Sequence, residues 1–218
     1  MQKKYKKILI ISAHHDDIEM GCGGSVAKLI ASGYQPCVIV VCDSGYKNID
    51  GKNVRSSKTA KSEGMAGLKT LGIKEKQIHL LNFKTNNLNN NFQKIKEKIL
   101  KIIKNTKFDV MFSHDMNDVH PDHKLLAEIS ISIGKKIETN LFYKSNFYQT
   151  YYSSVENFYI DISKFFEIKI KAIKEHKSEM ERTNNIWLNF FKNKNLSDGI
   201  KNGCYAAEAF YCPKIIIR

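Results

Sequence analysis

The sequence is poor in arginine, in paired cysteines and in long apolar runs, and each shortage excludes something. Of its 35 basic residues, three are arginine (Arg55, Arg182, Arg218) and 32 lysine. Sequence-specific nucleic-acid readers lean on the planar arginine fork, so the net charge of +13 does not make this a nucleic-acid-binding protein. The lysines are scattered and mixed with asparagines. They read first as compositional bias and second as attraction for an anionic substrate. Five cysteines (Cys22, Cys37, Cys42, Cys204, Cys212) are odd in number and form no CxxC pair, which argues against a disulfide framework or a cysteine zinc knuckle. The apolar runs Ile8–Ala13 and Cys37–Cys42 are strand-length, far short of the roughly 18 residues of a membrane span. The basic start, Met1 to Lys7, precedes too short an apolar stretch for a signal peptide. A cytoplasmic protein is expected. No proline-rich linker or internal repeat divides the chain, so residues 1–218 are expected to form one domain.

What is present alternates. Lys7–Ala13, Pro36–Cys42, Gln77–Leu81 and Phe108–Ser113 read as strands. Gly23–Gly33, Ser57–Leu71, Phe92–Asn105 and His120–Ile133 read as the helices between them. Strands that are apolar throughout imply a mostly parallel α/β sheet covered on both faces, hence three layers. Further on, strands are expected at Leu141–Tyr152 and Val155–Ile162, helices at Ser163–Ser178 and Ser197–Ala207, and a last strand at Ala209–Ile217. In open α/β sheets ligands bind beyond the carboxyl ends of the strands. The first strand ends at His14–Asp17 and the fourth just before His114–His123, so both polar clusters fall on one edge.

Adjacent carboxylates after a buried strand raise one pKa or recruit a cation. In the first cluster His14 and Asp17, three apart, can face one point and leave Asp16 free to take a proton. The competing use of Asp16 or Asp17 is as a helix N-cap. The glycines of Gly21–Gly24 lack both the GxGxxG spacing and a P-loop lysine, and are expected to form a tight turn. In the second cluster, Asn117-Asp118-Val119-His120-Pro121-Asp122-His123, Pro121 suits a first helical turn. One histidine can then bind a metal while the other acts as acid or charged stabiliser; the competing reading is an exposed cap. Two histidines and a carboxylate with an open position suit a catalytic zinc ion, which lowers the pKa of its water to about 7 and polarises a carbonyl.

Ala13–Gly24 (AHHDDIEMGCGG) resembles the AHPDD signature of the LmbE-like, or PIG-L, family of N-acetylglucosaminyl deacetylases, and Asn117–His123 its second motif. Asn157–Ser163, Lys171–Glu179 and Tyr205–Phe210 (YAAEAF) are similar to further family segments, in order along nearly the whole chain. The resemblance implies a Rossmann-like fold and zinc held by His14, Asp17 and His123. It implies Asp16 as general base, and His120 stabilising the oxyanion or protonating the leaving amine. A small amino-sugar substrate follows: a sugar phosphate, a nucleotide sugar or a glycoconjugate precursor. The alternative is a non-sugar amide or thiol conjugate. Homo-oligomers such as trimers or hexamers occur among relatives. His15 replaces the motif's proline and, with Asp118 and His176, is a candidate substrate contact. Glu179 stands where the family often has glutamine. Ala60 occupies the arginine position of an Arg-x-x-Glu ending at Glu63, so no substrate-binding arginine is expected there. Phe142, Tyr143, Phe147, Tyr148, Tyr151 and Tyr152 are aromatics able to stack on sugar rings; at near-alternate spacing they also fit strand core.

Overall fold

A computed structural model describes residues 6–148 and 154–216. One seven-stranded sheet is built from β1 (Lys7–Ser12), β2 (Gln35–Cys42), β5 (Ile78–Phe83), β6 (Val110–His114), β7 (Thr139–Tyr143), β8 (Phe158–Asp161) and β9 (Ala207–Lys214). Its order is β5-β2-β1-β6-β7-β9-β8. The first five strands run parallel, with Ile8 opposite Pro36 in β2 and Val110 in β6. Strand β9 pairs antiparallel with both β7 and β8. The chain therefore winds outward from β1 to β5, then crosses back to β6. That reversal of strand order is where open α/β sheets place their ligands.

Burial on both faces explains the unbroken apolar strands. Ile8 and Ile10 of β1 pack toward the helices α1 (Asp17–Ala31), α2 (Ser57–Thr70) and α5 (Phe166–Lys174). Leu9 and Ile11 pack toward α3 (Phe92–Ile103) and α4 (Pro121–Gly134). The expected three-layer α/β fold is present. Among the described residues no helix is long and apolar enough to cross a membrane.

The second half departs from the sequence reading. The strand expected at Leu141–Tyr152 is present only to Tyr143, and residues 149–153 lie outside the described chain. The helix expected over Ser163–Ser178 breaks after Lys174 and resumes as α6 (Lys177–Arg182). At the break His176 turns inward, and the Ser178 amide donates to Glu63 Oε1 at 2.8 Å. Helix α7 (Ile186–Lys201) starts eleven residues before the expected position, because Trp187, Leu188, Phe190 and Phe191 pack on Met20, Ile173 and Met180. A small hairpin, β3 (Tyr46–Lys47) with β4 (Asn53–Arg55), was not expected.

Nor do the glycines of Gly21–Gly24 form a separate turn. They lie inside α1, which bends at Cys22 (φ −145°). A Cβ on Gly21 would run into the Tyr143 ring, so glycine is needed for close approach to β7. The bend frees the amides of Gly24 and Ser25, and both donate to Glu208, at 2.9 and 2.7 Å. Glu208 is paired in turn with Lys169 Nζ at 2.6 Å, and both residues are buried. The glutamate of YAAEAF thus anchors the helix that carries Asp17.

Candidate metal centre and active site

Strand β1 ends at Ser12, and the turn His14–Asp16 leads into α1. Asp16 occupies the N-cap position but makes no capping bond, so its side chain is free for other work. Strand β6 delivers His114, and the loop after it reaches His120, the N-cap of α4. His120 does cap: the Asp122 amide donates to its Nδ1 at 3.2 Å. Pro121 opens the helix, and His123 projects from its first turn.

The expected ligands come together. His14 Nδ1 lies 3.1 Å from His123 Nε2 and 3.3 Å from Asp17 Oδ2. His123 Nε2 lies 3.3 Å from Asp17 Oδ1. The donor atoms of His14, His120 and His123 lie within 4.8 Å of one another, as do those of Asp17, His114 and His123. The imidazoles of His14 and His123 are each held at the far nitrogen by a carboxylate. His123 Nδ1 meets Asp118 Oδ2 at 2.9 Å, and His14 Nε2 meets Asp122 Oδ2 at 3.3 Å. Carboxylate–histidine pairs of this kind orient metal-binding imidazoles. Asn146 Nδ2 donates to both oxygens of Asp118, at 2.7 and 2.8 Å. Ser145 Oγ donates to Asp17 Oδ1 at 2.8 Å.

The charge balance fits a cation. Burial lowers the affinity of His14 for its proton, but Asp17 and Asp122 outweigh it and raise the pKa well above the usual value. For His123, burial is likewise outweighed by Asp17 and Asp118, and the pKa rises to about 9. Two protonated imidazoles cannot both aim N–H groups across the 3.1 Å between Nδ1 and Nε2. A divalent ion in place of those protons removes the conflict and balances the surrounding carboxylates. Burial, opposed by the stronger pull of His123, His114 and His14, leaves Asp17 well below the carboxylate range.

His114 was not singled out from sequence, and Asp122 was placed in the second cluster without a role. His114 is fully buried and stacks on His123, ring centroids 3.9 Å apart. Its Nε2 accepts the Ala13 amide at 2.9 Å, and burial lowers its pKa to about 4, so it is a neutral platform under the ligand. His120 is also lowered to about 4, by burial and then by His14 and His123. With Nδ1 accepting from the backbone, the proton of the neutral ring sits on Nε2. The protonated His120 expected from sequence is therefore replaced by a neutral N–H donor.

A second layer centres on Arg55, which sequence reading passed over. Its guanidinium donates to Asp16 Oδ2 and to Glu63 Oε2, each at 2.9 Å, and lies 3.8 Å from Glu179 Oε1. A guanidinium thus does reach Glu63, from hairpin strand β4 rather than from position 60. Burial would raise the Asp16 pKa, but Arg55 outweighs it and the net effect is a lowering. Composition held the available signal. Of three arginines among 35 basic residues, Arg55 and Arg182 both line the cavity beside the ligands.

That cavity measures about 280 Å³, and its wall includes His14, Asp16, Asp17, His120 and His123. The three expected substrate contacts are not part of the wall. His15 packs against Gly64, where a Cβ would approach its ring to 2.7 Å. Asp118 lies behind His123. His176 is fully buried behind Arg55, with Nε2 3.4 Å from the buried Glu19 Oε1. Each supports the wall from behind. Of the aromatics considered, Phe142 and Tyr143 are core, Tyr148 lines the cavity, and Tyr151 and Tyr152 lie outside the described residues.

Residues 9–133 match the family model PIG-L: GlcNAc-PI de-N-acetylase. The chain is 24% identical to diacetylchitobiose deacetylase of Thermococcus kodakarensis, covering 98% of this chain and 85% of the relative. It is 31% identical to the uncharacterized deacetylase YaiS of Escherichia coli, covering 80% and 92%. Among solved structures, N,N′-diacetylchitobiose deacetylase from Pyrococcus horikoshii superposes with a TM-score of 0.79 at 22% identity, over 97% of this chain and 85% of the other. The matched region spans both polar clusters, and the chain belongs to the PIG-L family of deacetylases, hydrolases of amide C–N bonds.

Proposed function

We propose that the protein is a zinc-dependent deacetylase that removes an acetyl group from the nitrogen of an N-acetylglucosamine-type amino sugar. The observation that carries this is the meeting of His14 Nδ1, His123 Nε2 and Asp17 within 3.3 Å of one another, with Asp16 in the same cavity. Two imidazoles and one carboxylate are a catalytic rather than a structural zinc set. The deacetylase relatives, including those named for diacetylchitobiose, support the amino-sugar substrate.

His14, Asp17 and His123 would hold the ion. When bound, it polarises a carbonyl and lowers the pKa of a water toward about 7. The protein's own groups do the rest. Asp16, anchored through Oδ2 by Arg55, accepts the proton of the attacking water through its other oxygen. His120, held by the Asp122 amide, directs its Nε2–H at the developing oxyanion. Asp16 returns the proton it took from the water to the sugar nitrogen as the C–N bond breaks and acetate leaves.

Release of free amine from acetylated amino sugars by zinc-loaded protein tests the reading, with non-sugar amides and thiol conjugates in the same panel. Asp16→Asn is expected to keep the metal and lower kcat by about 10²–10⁴-fold, the usual contribution of general acid–base catalysis. Near-normal turnover by the zinc-loaded variant refutes the base assignment.

A further inference from the structure

Glu19 lies on α1, two residues beyond Asp17, and is fully buried. Neither of its carboxylate oxygens has a hydrogen-bond partner among the described residues. A carboxylate taken out of water is costly unless partners offset the lost hydration, and departures of this kind gather at functional sites. Glu19 faces His176, also fully buried, whose Nε2 lies 3.4 Å from Glu19 Oε1. Gly67 of α2 makes room for the pair, because a Cβ there would run into Glu19 Oε1 and come within 3.1 Å of His176 Nε2. Neither residue lines the cavity beside the metal centre, and neither takes part in the steps of the reaction given above.

The other ring nitrogen of His176, Nδ1, lies 3.4 Å from Arg55 Nη2. A guanidinium only donates, so Nδ1 presents its lone pair and the ring proton sits on Nε2, toward Glu19. Glu19 thereby fixes the tautomer of His176, and His176 accepts one N–H of Arg55. The same Nη2 donates to Glu63 Oε2 at 2.9 Å. Glu63 is itself held by the Ser178 amide and hydroxyl, at 2.8 and 2.6 Å. Both N–H groups of Nη2 are then taken, and Nη1 alone is left to reach Asp16, through Oδ2 at 2.9 Å. A guanidinium beside a carboxylate otherwise closes as a two-pronged pair, which would occupy both oxygens of Asp16.

We propose that Glu19 and His176 are positioning residues for the general base: by engaging the second N–H of Arg55 Nη2 they confine Arg55 to one oxygen of Asp16 and leave the other free for the proton of the attacking water. This rests on reading the site as a deacetylase with Asp16 as its base.

The test compares two amides at position 176, with amine release from N,N′-diacetylchitobiose by zinc-loaded protein as the assay. In His176→Asn the amide oxygen takes the place of Nδ1 and still accepts from Arg55. In His176→Gln the amide nitrogen takes the place of Nε2, so the bond to Glu19 is kept and the acceptor for Arg55 is lost. Loss of a group that orients a catalytic residue lowers activity about 10–100-fold; His176→Gln is expected to lose that much in kcat with KM and zinc content little changed, and His176→Asn to recover most of it. A role in packing alone predicts the reverse order, because glutamine fills more of the ring's space and keeps the partner of Glu19. Histidine nitrogen NMR of the parent, with or without zinc, is expected to show His176 bare at Nδ1 and protonated at Nε2. A glutamine variant as active as the asparagine variant, or a proton on Nδ1, overturns the positioning role and leaves the deacetylase reading standing. A parent protein that releases no amine from any acetylated amino sugar overturns both.

Discussion

Replacing Lys169 by methionine leaves the Glu208 carboxylate without its cation in the core. Lys169 is 0% exposed and Glu208 1%. The ammonium reaches Glu208 Oε1 at 2.6 Å and the Met20 carbonyl at 2.8 Å. Methionine fills nearly the same space, so the loss is one of charge and hydrogen bonds rather than of volume. Removing one partner of a buried ion pair costs about 3–5 kcal/mol. In a chain of this size each kcal/mol lowers Tm by roughly 2–4 °C, which puts the expected fall at roughly 6–20 °C. The double variant Lys169→Met/Glu208→Gln removes the stranded charge. Its amide oxygen can still accept from Gly24 or Ser25, so it is expected to be more stable than Lys169→Met alone. Urea unfolding at constant m value, with thermal melts alongside, measures both. A Lys169→Met variant within about 1 kcal/mol of the parent would refute the reasoning, since the penalty for stranding a buried charge could not then apply to this pair. So would a double variant less stable than the single one. The pair also bears on the site, because the Met20 carbonyl lies one turn beyond Asp16 and Asp17.

Two other consequences are measurable. Asp118→Asn replaces the acceptor that orients His123 and is expected to weaken zinc affinity about 10–100-fold in a competition titration; unchanged affinity would show that the ring needs no carboxylate behind it. Burial would raise the Glu63 pKa, but bonds from Ser178 and from Arg55 lower it overall. A depressed carboxylate stabilises the fold above its unfolded value of about 4.5 and loses that contribution as pH falls through its lower folded value. Glu63→Gln is therefore expected to melt lower than the parent near neutral pH, with the gap closing below about 4.5; parallel melting curves across that range would contradict the assignment.

What could be read from the chain follows physical scale. Strands β1 and β2 were legible because burial on both faces requires unbroken apolar sequence. Helix α3 was legible because Ile95, Ile99 and Ile102 repeat at helical spacing. The His14, Asp17 and His123 cluster was legible because its residues directly follow two such strands, and strand order places their ends together. Helix α7 was not, because its apolar residues crowd into Ile186–Phe191 and only Leu196 and Ile200 follow among polar ones. Arg55 was invisible for a different reason. The stretch around it, from Asp43 to Ser56, has no periodicity, and its partner Asp16 is 39 residues away. The glycines were misread because a bend inside a helix and a turn before one share the same letters; the distinction is made by Glu208, 184 residues from Gly24.

Arg55 also bears on how two adjacent aspartates can do different things. Side by side and buried, Asp16 and Asp17 would share a proton near neutral pH. The structure gives them separate partners, imidazoles for Asp17 and a guanidinium for Asp16. Asp17 turns to His123, His114 and His14 and accepts from Ser145 and the His14 amide, which occupies its oxygens and suits a fixed ligand. Asp16 turns to Arg55, which takes Oδ2 alone. A base held below the ordinary carboxylate range is weaker at equilibrium, by about 1.36 kcal/mol for each unit of pKa. In exchange it stays ionised beside a second carboxylate and keeps one orientation. In the proposed reaction the proton it takes would come from a water whose own pKa a bound divalent ion would bring down toward about 7, so the pKa gap between donor and acceptor would narrow from the water's side. A strong base is then not required, and a weak one held ready by Arg55 is sufficient.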